Sequence, residues 1–143
     1  MSQQGPLVVV ENDKDDQEIF ADAIRDLGIN NPINFFDRSA EAFQYLLDTN
    51  DRPLLIISDI NLPGESGVAF KRRIDADPYL RQKSIPFIFF STFIDKKAVE
   101  IAYKELTIQG FFRKSSQYTE YKNIVRMMIE YWKVCQHPNS FNH

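Results

Sequence analysis

An aspartate that follows a purely apolar run and precedes a Pro-Gly turn is held in place by its neighbours. The apolar run Leu54-Leu55-Ile56-Ile57 leads straight into Ser58-Asp59-Ile60-Asn61-Leu62-Pro63-Gly64. The run reads as a buried strand whose C-terminal tip presents a carboxylate. A second tip of this kind lies where Leu7-Val8-Val9-Val10 meets Glu11-Asn12-Asp13. In an open parallel α/β sheet, ligands bind at such tips. Side by side, these two would gather oxygens suited to Mg²⁺, which takes one or two carboxylates together with phosphate oxygens and water. An aspartate beside the cation can accept a phosphoryl group as an acyl phosphate, with the cation screening the charge that accumulates. Two later strand ends add a hydroxyl, Ser91 or Thr92, and an ammonium, Lys114, each able to engage a phosphoryl oxygen.

Each residue alone has an ordinary explanation. Acidic loops are usually solvated or cap helices, and Asp15 or Asp16 suits a first helical turn. A Ser-Thr pair after a strand is commonly a cap, a lysine at a strand end is commonly surface charge, and an Asp before Pro-Gly can simply form the turn. The functional reading gains its weight from four such groups falling at one edge of one sheet.

That sheet follows from five repeats of apolar run, polar loop and amphipathic helix. The strands fall at about 7–11, 33–36, 54–58, 86–90 and 110–113. The helices fall at about 15–27, from Ser39 as N-cap, and at 66–75, 95–105 and 118–134. The alternation implies an α/β fold, a doubly wound five-stranded parallel sheet with right-handed crossovers. Strands one, three and four are apolar throughout and belong in the interior; two and five belong toward the edges. Residues 1–135 form one domain on this reading, and 136–143 a disordered tail.

The bulk properties exclude more than they assign. A chain of 143 residues with 43% hydrophobic residues and twelve phenylalanines can bury a substantial core. A net charge of −3 argues against binding DNA or an anionic membrane. No apolar stretch is long enough to span a bilayer. The single Cys135 and the lack of a secretory signal at 1–6 point to the cytoplasm. His137 and His143 fall in the tail, away from any catalytic grouping.

The order and spacing of Val9–Asp13, Ile57–Gly64 with Gly67, Pro86–Thr92 and Gly110–Lys114 resemble a response regulator receiver domain of two-component signalling, over about 6–132. The resemblance implies a flavodoxin-like (βα)5 fold of the stand-alone type. It implies that Asp59 accepts phosphate from a histidine kinase or histidine phosphotransfer protein. Glu11 and Asn12 stand where the family keeps its acidic metal pair, and the Asn61 carbonyl would be a further Mg²⁺ ligand beside Asp59. Ser91 matches the switch hydroxyl, Lys114 the active-site lysine and Phe111 the aromatic switch. The partner surface for a downstream protein target would be the face of helix four, strand five and helix five, here Lys96, Lys97, Tyr103, Lys104, Phe111, Tyr118 and Tyr121; a homodimer is also compatible with the family.

Three departures matter. Asn12 replaces an acid, so Mg²⁺ affinity should fall unless Asp13 compensates. Ser115 replaces a proline common after the lysine, which should loosen that loop. Phe93, two residues past Ser91, occupies a position that modulates hydrolysis, where a ring would shield the acyl phosphate from water. The basic run Lys71-Arg72-Arg73 reads as a solvated face with an ion pair or two, and Met127, Met128 and Ile129 as core. The competing reading is a non-phosphorylated pseudo-receiver adaptor, which Asn12 favours. A Mg²⁺-dependent hydrolase with Asp59 as nucleophile would need a second acid where Asn61 stands, and a cap for which the chain has no insertion.

Overall fold

The computed structural model describes residues 4–135; the expected tail and both histidines lie outside them. Five parallel strands form one sheet in the order β2-β1-β3-β4-β5. They are β1 (Leu7–Val10), β2 (Ile33–Phe36), β3 (Leu55–Ser58), β4 (Phe87–Ser91) and β5 (Gly110–Arg113). Between and after them run α1 (Lys14–Asp26), α2 (Ser39–Asp48), α3 (Gly67–Ala76), α4 (Pro78–Lys83), α5 (Lys96–Glu105) and α6 (Tyr118–Val134). The strands read as pure are interior and wholly buried; β2 and β5 are the edges, as their mixed composition requires.

Alternation along the strands builds a core on each face. Leu7, Val9, Leu55, Ile57, Ile88 and Phe90 face α1 and α6, meeting Phe20, Ile24, Val125 and Ile129. Val8, Val10, Ile56, Phe87 and Phe89 face the other side, meeting Leu46, Phe70, Ile74 and Ala102. In register, Val10 stands opposite Phe36 and Ser58. The next residues, Glu11 and Asp59, therefore emerge side by side, and the Asp59 N–H donates to the Val10 carbonyl at 3.0 Å.

Several expectations are corrected. Ser39 is the first residue of α2, not its N-cap; Arg38 holds that position and Ser39 Oγ donates to Glu65 Oε1 at 2.7 Å. The helix α4 was not expected. Asp77 caps it by accepting from Leu80 N–H, Pro78 needs no amide partner at its first turn, and Ser84 in the left-handed region ends it. Tyr121 is 4% exposed and belongs to the core, not to the partner face, whereas Met127 is 53% exposed. Lys71 is not solvated: its ammonium is buried against Asp75, while Arg72 and Arg73 pair with Glu105 and Glu65.

Gly67 fixes how closely α3 packs beneath the site. A Cβ there would lie 2.5 Å from the Asp59 carbonyl oxygen and 2.8 Å from Ile60 Cα, both backbone atoms. Gly67→Ala is expected to cost about 1–3 kcal/mol, as overpacking against backbone does, read as a lower urea midpoint at unchanged slope.

Candidate functional site

Three strand ends and one helical turn converge. Glu11 follows β1, Asp59 follows β3, Lys114 follows β5, and Asp16 lies in the first turn of α1. One carboxylate oxygen from each of Glu11, Asp16 and Asp59 lies within 4.8 Å of the others. The Lys114 ammonium bridges all three: it donates to Glu11 Oε1, to Asp16 Oδ2 at 3.1 Å and to Asp59 Oδ2 at 3.4 Å. Ser91, fully buried at the end of β4, donates from Oγ to Asp59 Oδ1 at 2.7 Å and accepts from the Ile60 N–H at 2.8 Å. The Asn61 N–H donates to the same Oδ1 at 3.0 Å. The Asp59 carboxylate is thus gripped from two sides.

Local bonds hold this arrangement. The Lys114 N–H donates to the Ser91 carbonyl at 2.9 Å, tying β5 to β4. Gln17 donates to the Glu11 carbonyl at 2.6 Å, and Asp13 N–H to Glu11 Oε2 at 3.0 Å. Gly64, at φ +75, allows the turn that returns the chain to α3.

The expected ligands are placed unevenly. Glu11 and Asp59 meet. Asn12 is exposed. Asp13 caps α1, accepting from the Asp15 and Asp16 N–H groups, so its carboxylate is committed there. Asn61 is exposed and contributes its N–H to Asp59. The third carboxylate of the cluster is Asp16, which the sequence reading assigned to the helix dipole. Its signal was position: three residues past the N-cap, a side chain tilted toward the helix N-terminus returns over the strand end. Thr92 is exposed; Ser91 is the hydroxyl at the site. Phe111 is half-buried, its ring 5.3 Å from that of Phe89. Phe93 is 80% exposed and borders a groove with Ile60 and Val68, not the space between the carboxylates. Ser115 does not leave its loop untied: Oγ donates to Glu120 at 2.8 Å and accepts from the Gln117 N–H at 3.1 Å.

Three carboxylates share one ammonium, so one of them gains by keeping a proton. Burial pushes the Glu11 carboxyl up to about 7, against the pull of Lys114. Burial also disfavours the Asp59 anion, but the Asn61 N–H, the Ser91 hydroxyl and Lys114 together hold it below the usual carboxylate range. Burial acts against the Lys114 charge as well, and Glu11 and Asp59 outweigh it and raise the ammonium. The all-oxygen donor set of Glu11, Asp16 and Asp59 fits a hard divalent cation such as Mg²⁺.

A folded-state pKa above the unfolded one makes an acid cost stability as it ionises. In cation-free buffer, stability is expected to fall as pH rises from the ordinary 4.5 through about 7, the window set by Glu11. Asp59, shifted downward, acts in a separate window: its contribution is lost as pH falls below the ordinary 3.8. Urea midpoints recorded across pH in EDTA test this; a slope of opposite sign between those values, or one that Glu11→Gln leaves intact, refutes the assignment.

The chain is matched over residues 7–126 by the family model of the response regulator receiver domain. Among solved structures, the phosphorylated cyanobacterial phytochrome response regulator RcpA is 26% identical, with a TM-score of 0.83 over 94% of this chain and 99% of that one. The Mn²⁺-bound form of the response regulator Rcp1 is 22% identical, with a TM-score of 0.79 over 93% of this chain and 97% of that one. A response regulator in red light signalling of R. palustris is 19% identical, with a TM-score of 0.81 over 93% and 96%. These last two likenesses speak to fold alone. No curated protein matches the chain in sequence. Among the described residues, no helix is long and apolar enough to cross a membrane. With its five-stranded parallel sheet and an acidic pocket at the strand ends, the chain belongs to the response regulator receiver domain family, signalling domains of two-component systems that bind Mg²⁺ in such a pocket.

Proposed function

We propose that Asp59 is a phosphoacceptor, served by a histidine kinase or a histidine phosphotransfer protein. The observation that carries this is the double grip on its carboxylate, Ser91 Oγ at 2.7 Å on one oxygen and Lys114 Nζ at 3.4 Å on the other. A phosphoramidate P–N bond on the donor breaks as a bond forms between an Asp59 oxygen and phosphorus, and the imidazole leaves. When bound by Glu11, Asp16 and Asp59, Mg²⁺ supplies charge screening for the phosphoryl oxygens. Lys114 then exchanges a carboxylate partner for a phosphoryl oxygen, and Ser91 redirects its hydroxyl to another. Because Ser91 already donates to Asp59 and Phe111 already packs inward, this hydroxyl needs little reorganisation.

Output passes through the face of α5, β5 and α6, the counterpart of the helix-four, strand-five, helix-five surface expected from sequence. Tyr103, 56% exposed, and Tyr118, 40% exposed, are its aromatic anchors. Phosphorylation shifts the balance between two arrangements of this face. Asn12 was the argument for a constitutive adaptor; with Asp16 supplying a third carboxylate, that argument loses its force.

Incubation with acetyl phosphate and Mg²⁺ should add one phosphate to the intact mass, absent in Asp59→Ala and blocked by EDTA. No adduct on the wild-type chain would make the adaptor the better reading. Asp16→Asn should weaken Mg²⁺ binding by calorimetry about ten-fold or more, while Asn12→Asp changes it less. The reverse ranking would return the metal site to the pair expected from sequence.

A further inference from the structure

A second charge is buried at the opposite end of the sheet. Where β3, β4 and β5 begin, a cavity of about 210 Å³ opens between the sheet and α2, α3 and α4. The lining is mixed: Ile56, Ile74 and Leu80 give it one apolar side, Lys71, Asp75 and Arg81 bring charge, and Thr107 and Gln109 are neutral polar neighbours.

Lys71 is 4% exposed. Its ammonium donates to Asp75 Oδ1 at 2.8 Å and sits 5.2 Å from the centre of the Phe87 ring. An ammonium has three N–H donors. Among the described residues, Asp75 is the one acceptor within hydrogen-bonding distance. Asp75 is itself heavily used: it accepts the Thr107 hydroxyl at 2.7 Å and the Thr107 N–H at 3.1 Å. Burial holds the Lys71 ammonium below its usual range even beside that carboxylate. Arg81 adds a second cation at the mouth, its Nη1 3.4 Å from the Asp75 carbonyl. Two cations against one carboxylate, with N–H donors to spare beside an apolar wall, call for an anion that carries carbon.

We propose that this cavity binds a small carboxylate with an apolar body. The carboxylate accepts from Lys71 and Arg81, and the body lies against Ile56, Ile74 and Leu80. Inorganic phosphate matches the cations but not the wall. The site is separate from Asp59, so nothing in it depends on phosphotransfer there.

Amide spectra of the ¹⁵N-labelled full chain, titrated with benzoate, test the site. Saturable shifts are expected at Lys71, Ile74, Thr107 and Gln109, with a dissociation constant on the order of 1 mM, as suits so small a ligand. Benzyl alcohol, the same ring without charge, should bind about ten-fold more weakly. Lys71→Met should erase that preference, its folding checked by thermal unfolding. Arg81→Gln, at an exposed position, should weaken benzoate about three-fold, its folding checked in the same way. Benzoate that fails to saturate these amides, or that binds no tighter than benzyl alcohol, overturns the proposal. So does an affinity that neither substitution moves. Phosphate saturating the same amides as tightly as benzoate would overturn the assignment of an apolar body.

Discussion

Everything at the functional end of this molecule is arranged around one ammonium. Lys114 is the cation that stands between Glu11, Asp16 and Asp59; it is as buried as Glu11 and more buried than the two aspartates. Two like charges 4 Å apart at an effective dielectric constant near 20 interact by about 4 kcal/mol. Three carboxylates at such range are tolerable only with opposite charge among them or a proton on one of them. By the same arithmetic Glu11, Asp16 and Asp59 would hold a divalent cation beside Lys114, and that cation would supply the positive charge the cluster lacks. The site carries an excess of negative charge that one ammonium only partly neutralises.

That excess persists because the strands cannot yield. β1 and β3 are buried along their whole lengths and paired residue by residue, so Glu11 and Asp59 emerge side by side whatever their charges prefer. β4 and β5 set Ser91 and Lys114 by the same logic, with the Lys114 N–H bonded to the Ser91 carbonyl. Gly67 lets α3 approach the Asp59 backbone closely, so the loop carrying Asn61 turns back at once and its N–H meets the carboxylate. Packing energy spread over two hydrophobic layers thus holds a small group of mutually repelling oxygens.

What was legible in the chain follows from this division. Strand identity, the division into interior and edge strands, and the groups at strand ends could be read because a buried parallel strand is a run of apolar residues with a sharp end. Glu11, Asp59 and Ser91 are end residues of that kind, and Lys114 follows the mixed β5. Asp16 was hidden because it stands in a first helical turn, where an acid is explained by the dipole without reference to anything distant. Asp13 and Asn12 drew attention by adjacency, yet Asp13 serves the helix and Asn12 faces solvent. The helix α4 announced itself through Asp77-Pro78, a cap followed by a proline at the first turn. Five regular repeats of strand and helix mask it, because it is a sixth helix inserted within one repeat. The burial of Lys71 had no sequence signal: three basic residues in a row look alike, and only the rotation of α3 decides which one turns inward.

The two buried lysines make the asymmetry of the molecule concrete. Lys114 has more acceptors than it needs and its charge is favoured; Lys71 has one acceptor, already shared with Thr107, and its charge is disfavoured. An ammonium at 4% exposure with unspent donors is a costly thing to keep in a structural role alone, because a well-packed apolar side chain at that position is commonly as stable or more so. Thr107, bonded to Asp75, lies three residues before the start of β5, the strand whose end carries Lys114. The under-served charge at one end of the sheet and the over-served charge at the other are therefore joined by a single short strand.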